Sequence, residues 1–153
     1  MIRILFICHG NICRSPIAEA IMKNMVKKEH LEDCFEIVSR ATSREELGND
    51  IYPPARRELE AHNVPYDRYR RASIMTRADY DAYDYLIGMD ERNIGNIFRI
   101  IGEDPEGKVY KLLDIAGMPG DIEDPYYSGN FHKVWNQIEE GCRGFLKYLK
   151  ENK

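Results

Sequence analysis

The spacing of apolar positions divides the chain into short strands and longer helices. Residues 2–8, IRILFIC, are almost continuously hydrophobic, the pattern of a strand covered on both faces. Residues 35–41, FEIVSRA, alternate more strictly and predict a strand nearer a sheet edge. Two further strands are predicted at 83–89 (YDYLIGM) and 108–113 (KVYKLL). Between them the period lengthens. Residues 15–30 set Ile17, Ala20, Ile21, Asn24 and Met25 on one helical face and turn Lys23 and Lys27 outward. Pro16 suits the first turn of that helix, and Lys27, Lys28 and His30 suit its negative end. Residues 53–63 open on prolines and can stop at Asn63. Thr76-x-x-Asp79 reads as a capping box, and a short helix is predicted over 90–101 after Asp90. The clearest helix is the last, where Phe131, Val134, Trp135, Ile138, Cys142, Phe145, Leu146 and Leu149 form one apolar stripe.

Strands alternating with helices at this spacing predict right-handed βαβ units and a parallel sheet with ligands bound beyond the carboxyl ends of its strands. At 153 residues, without linker, repeat or low-complexity tract, the expectation is one domain over 1–153. Composition narrows the function. Lys plus Arg number 22 against 26 Asp plus Glu, a net charge of −4, so no bulk attraction draws the chain to nucleic acid or an acidic membrane. No apolar run reaches membrane-spanning length, and the N-terminus lacks the pattern of a signal peptide. A cytoplasmic chain is expected, and a monomer. Four cysteines are too few for a disulfide scaffold. Cys142 falls on the last helix's stripe as a core thiol, and Cys34 is expected to pack at the start of its strand.

One stretch carries chemistry. In FICHGNICRSPIAEA, residues 6–20, a strand delivers Cys8, a tight turn follows, and Arg14 stands at the mouth of a helix. Consecutive amides in such a turn converge into an anion nest, and the helix N-terminus adds positive charge. Gly10 and Asn11 tolerate the positive φ angles that a tight cradle needs. Arg14 offers a planar fork for two phosphate oxygens, and the same surroundings favour the ionised form of the Cys8 sulfur. A nucleophile at the base of a phosphate cradle points to attack on phosphorus. The Gly-x4-Gly-Lys string of a nucleotide P-loop does not occur, and Cys8 and Cys13 with scattered histidines make no plausible zinc set.

The string CHGNICRS followed by PIAEA, with DPYY at 124–127 and MDERN at 89–93, resembles the low-molecular-weight protein tyrosine phosphatases over essentially the whole chain. The resemblance implies an α/β three-layer sandwich, with a four-stranded parallel sheet, helices on both faces and the phosphatase loop after the first strand. It implies Cys8 as nucleophile, Arg14 as phosphate clamp and Asp124 as general acid and base. His9, Gly10, Asn11, Ile12, Cys13 and Ser15 complete the loop. Ser15 bonds the Cys8 sulfur, and Asn11 holds the strained turn. Tyr126 and Tyr127 wall the cleft, and Glu45 is expected at its rim. Relatives pair a cysteine such as Cys13 with the nucleophile in a protective disulfide. Phosphotyrosine-containing proteins are the implied substrates, with no metal and no cofactor.

Several readings compete. Thiol-dependent arsenate reductases need a further cysteine pair, which Cys34 and Cys142 do not supply. Protein arginine phosphatases carry Thr where Ile12 stands and lack the tyrosine pair. A phosphate-binding module without turnover need not keep Cys8, Arg14 and Asp124 together. The segment 41–58 departs from better-known relatives: after Thr42-Ser43 it reads Arg44, Glu45, Glu46 where an aromatic wall is common, and Tyr52 is the candidate substitute.

Overall fold

In the computed structural model, which describes residues 1–152, the continuous apolar run becomes the central strand β1, Ile2–Cys8. It pairs in parallel with β2 (Phe35–Ala41) in the register Ile2↔Phe35 to Cys8↔Ala41. Its other side pairs with β3 (Tyr85–Gly88) from Ile4↔Tyr85 to Ile7↔Gly88, and β4 (Val109–Lys111) extends the sheet from β3. The strand order is β2-β1-β3-β4, so the more strictly alternating β2 is an edge strand.

Both faces of β1 are covered. Ile4, Phe6 and Cys8 belong to a core shared with α1 (Arg14–Lys28), α2 (Pro53–Ala61), α5 (Leu112–Ile115) and α7 (Phe131–Glu151). Leu5 and Ile7 point the other way, into a smaller core with Tyr80 of α3 (Ala78–Ala82) and with Ile97 and Ile101 of α4 (Glu91–Ile101). A strand buried on both sides cannot alternate, which explains its sequence. The architecture is the expected three-layer α/β sandwich.

Four expectations change in detail. The apolar run at 108–113 is not one strand: β4 ends at Lys111 and α5 begins at Leu112. The room for this turn is made across the core. A Cβ on Gly141 would sit 2.8 Å from Leu112 Cγ, and one on Gly144 would sit 2.7 Å from Ala116 Cβ. Those two glycines in α7 let the α5 turn lie directly on that helix. Cys34 is exposed, because it ends a 3-10 turn (Glu32–Cys34) that precedes β2 and projects from the core. Only one arm of the Thr76 capping box forms, with the Thr76 amide donating to Asp79 Oδ2 at 2.9 Å. Finally, the Gly- and Pro-rich loop at 117–130 contains a further short helix, α6 (Pro125–Ser128). Cys142 is fully buried, as its place on the stripe requires.

Candidate active site

The strand order changes direction between β1 and β3, and the crevice beyond their carboxyl ends is where this class of sheet binds ligands. Cys8 ends β1 there, and α1 begins at Arg14. The connecting loop is held from outside by its carbonyls. Thr42 N donates to Cys8 O at 3.1 Å, Ser43 N to His9 O at 3.0 Å and Tyr52 N to Ile12 O at 2.9 Å. Arg70 Nη1 donates to Asn11 O at 3.0 Å, and Ile17 N donates to Cys13 O at 3.2 Å. No peptide bond in the described chain is cis. In a trans peptide the N–H of the next residue points opposite to the carbonyl. The amides of His9, Gly10, Ile12, Cys13 and Arg14 are therefore aimed away from these outer partners, towards the interior of the loop.

Asn11 alone in the loop adopts a positive φ, 59°. Gly10 serves space rather than conformation, since a Cβ there would lie 3.2 Å from Glu46 Cγ. The Asn11 side chain fixes the turn from both ends. Its Oδ1 accepts from Arg70 Nη2 and from the Ser73 amide (3.2 Å), while its Nδ2 donates to Ser15 Oγ at 2.8 Å. With that bond accepted, the Ser15 hydroxyl proton is available to Cys8 Sγ, 3.0 Å away. The Ser15 amide also donates to the sulfur, at 3.4 Å. Both contacts fix the sulfur at the base of the loop.

Arg14 is 2% exposed, and a bare buried guanidinium is costly. Its Nη1 donates to Asp90 Oδ2 at 2.7 Å and to Ile122 O at 2.8 Å. Its Nη2 lies 3.5 Å from Asp124 Oδ2. Burial opposes the charged form, but Cys8, Asp90 and Asp124 outweigh it and hold the Arg14 pKa above its ordinary value. Asp124 is also the N-cap of α6, with Oδ1 accepting from the Tyr126 amide at 3.1 Å. One carboxylate oxygen thus fixes the turn while the other faces Arg14.

Cys8, His9, Gly10, Ile12, Cys13, Arg14, Glu45, Glu46, Asp124, Tyr126 and Tyr127 line one cleft. Asn11 and Ser15 stand behind it as supports. Burial, reinforced by Cys8, pushes the Cys13 thiol far above the usual thiol range, so Cys13 faces the cleft protonated. Tyr52 does not replace the missing aromatic wall. It packs behind the cleft, edge-on to Tyr126 at 5.1 Å and stacked on Phe131 at 6.0 Å. The rim that segment 41–58 supplies is acidic, and His9 Nε2 lies 3.2 Å from Glu45 Oε2.

Residues 3–153 match the model of the low molecular weight phosphotyrosine protein phosphatase family. The chain belongs to that family. The low molecular weight protein-tyrosine-phosphatase PtpA of Staphylococcus epidermidis is 36% identical to it over 150 residues, 97% of this chain and 94% of that protein. The crystal structure of YfkJ from Bacillus subtilis matches with a TM-score of 0.95 at 34% identity, covering 100% of this chain and 97% of that one. SP-PTP, the low molecular weight protein tyrosine phosphatase from Streptococcus pyogenes, matches with a TM-score of 0.89 at 34% identity, covering 97% and 93%.

Two supports of the phosphatase-family loop escaped sequence reasoning. Asp90 was legible as a helix start and as part of the MDERN string, with no role read for its side chain, and it does cap α4 by accepting from the Asn93 amide at 2.7 Å. Its second oxygen holds Arg14 from the end of the neighbouring strand. Arg70 comes from an irregular segment with no periodicity to mark it. Burial lowers its pKa, with Glu19 and Cys8 acting in the opposite direction. The available signal for Asp90 was its position after β3, at the end of the sheet where Cys8 also lies.

Proposed function

We propose that this chain is a metal-independent protein-tyrosine phosphatase, a single catalytic domain over 1–153 that removes phosphate from tyrosine side chains of cytoplasmic proteins. One observation carries the reading: Cys8, whose sulfur takes two donors from Ser15, lines one cleft with the buried Arg14 and with Asp124, and the loop amides are aimed into it. Cys8, as thiolate, attacks phosphorus, and the phosphorus–oxygen bond to the aryl group breaks while Asp124 gives its proton to the departing oxygen. A phosphocysteine results. Water then attacks phosphorus, Asp124 takes the proton, the phosphorus–sulfur bond breaks, and phosphate leaves. Arg14 and the inward amides of His9, Gly10, Ile12 and Cys13 hold the equatorial oxygens throughout. Ser15 holds the sulfur, and Asn11 keeps the turn shaped. Tyr126 and Tyr127 flank the aryl ring of the substrate, and Ile12 gives the base of the cleft an apolar contact.

The test of Asp124 is the dependence of rate on the leaving group. Asp124→Asn slows hydrolysis of phosphotyrosine about 10²–10⁴-fold, the usual contribution of a positioned acid, and slows an ester with an activated leaving group much less. An Asp124→Asn enzyme as fast as wild type on phosphotyrosine contradicts the role. Measured beside phosphoarginine, phosphotyrosine is the preferred substrate.

Glu45 and Glu46 extend the reading to substrate sequence. An acidic rim beside a dianion site repels acidic neighbours and attracts basic ones. Phosphopeptides with lysine beside the phosphotyrosine are turned over with roughly 2–10-fold higher kcat/KM than acidic counterparts at low salt, an exposed charge–charge effect. The difference shrinks in Glu45→Gln/Glu46→Gln and in high salt. Equal discrimination in wild type and variant refutes it.

A further inference from the structure

The histidines look scattered in sequence, but the fold gathers two of them. His62 follows the last turn of α2, Glu58 lies one turn before it, and His132 stands in the first turn of α7. One ligand atom from each of the three lies within 4.8 Å of the others. His132 Nδ1 is 3.7 Å from Glu58 Oε1, and His62 Nδ1 is 4.0 Å from the same oxygen. These separations are too long for hydrogen bonds. They are slightly wider than the roughly 3.4 Å between two ligands on a tetrahedral zinc ion with bonds of about 2.0–2.1 Å.

The surroundings already restrain the donors. Glu58 Oε1 is buried and has no hydrogen-bond partner among the described residues. A buried carboxylate oxygen without a partner is expensive, and it is aimed at two imidazoles. The His62 ring stacks on the fully buried Trp135 at 4.1 Å, with 13° between the planes. Its Nδ1 also lies 2.9 Å from the Glu58 main-chain oxygen, a hydrogen bond that the ring exchanges for the ion when Nδ1 becomes a ligand. His132, with 77% of its side chain exposed, is the adjustable member of the three.

We propose that Glu58, His62 and His132 form a binding site for a borderline divalent transition metal ion such as Zn²⁺, outside the catalytic cleft. Two imidazoles and one carboxylate suit that class and not Mg²⁺ or Ca²⁺, which take oxygen ligands. Water completes the coordination on the open side. The ion joins α2 to the start of α7, which follows directly on the loop carrying Asp124, and it braces the fold without entering the reaction.

Titration of the purified chain with Co²⁺, followed by visible absorption, tests the site. The same titration on Cys8→Ser recognises any metal held by the catalytic sulfur. The expected result is one saturable event, without sulfur-to-cobalt charge transfer, that persists in Cys8→Ser. In His132→Asn it weakens at least about 10–100-fold, the cost that even an outer-sphere partner carries. Zn²⁺ likewise raises the melting temperature of wild type and not of His132→Asn, whose metal-free activity is unchanged. Binding that always shows sulfur ligation, that survives His132→Asn, or that never saturates overturns the proposal.

Discussion

Cys8→Ser is expected to lower the turnover of an aryl phosphate by about 10⁴–10⁶-fold, as loss of a covalent nucleophile does. The substitution exchanges one atom at a buried position, 2% exposed, so the loop keeps its shape. The supporting bonds make the loss large. Ser15 Oγ and the Ser15 amide hold a sulfur in place, and a thiol is intrinsically a far stronger nucleophile than a hydroxyl at the same position. The variant still offers the amide ring and Arg14, so phosphate or an aryl phosphate binds with little change in affinity. Loss of kcat with retained binding is the signature, and steady-state kinetics with equilibrium dialysis reads both. Unfolding is excluded by an unchanged near-ultraviolet circular dichroism spectrum.

Arg14→Lys comes next, with an expected fall in kcat of about 10³–10⁵-fold, the contribution of an arginine that spans a transferring phosphoryl group. Lysine keeps the charge and so keeps Asp90 and Asp124 from facing each other without a cation. It loses the fork. Nη1 of Arg14 is spent on Asp90 and Ile122 O, while Nη2 lies on the Asp124 side of the cleft. A single ammonium cannot hold Asp90 and span two phosphoryl oxygens at once. The effect therefore falls mainly on kcat, with a smaller change in KM, because equatorial charge is best matched in the transition state. An Arg14→Lys enzyme whose kcat stays within about tenfold of wild type contradicts the assigned clamp.

The parts of this molecule that sequence reveals are those in which one local rule decides the outcome. From Ile4 to Cys8 the run has no polar position because both faces of β1 are covered there, and a helix stripe as long as that of α7 has no competing reading. The cradle was legible because Cys8, Gly10, Asn11, Arg14 and Ser15 are neighbours in sequence. What stayed hidden depends on partners far along the chain. Asp90 and Arg70 reach the loop from 76 and 59 residues away, and neither carries a local mark of that contact. The end of β4 at Lys111 was illegible for a related reason. Leu112 and Leu113 prolong an apolar run, and the α7 glycines that make room for the α5 turn lie far along the chain. Cys34 was misread because burial was inferred from strand membership, whereas a 3-10 turn lifts it clear of the sheet.

The central claim is that phosphate passes through a covalent bond to the Cys8 sulfur. Rapid mixing of the enzyme with an aryl phosphate, acid quenching within the first turnover and peptide mass spectrometry tests it most directly. The account predicts one phosphoryl group per chain on the peptide containing Cys8, formed together with a burst of phenol and lengthened in life by Asp124→Asn. A first turnover that releases phenol and phosphate together, with Cys8 unmodified or with the phosphoryl group on another residue, would contradict it.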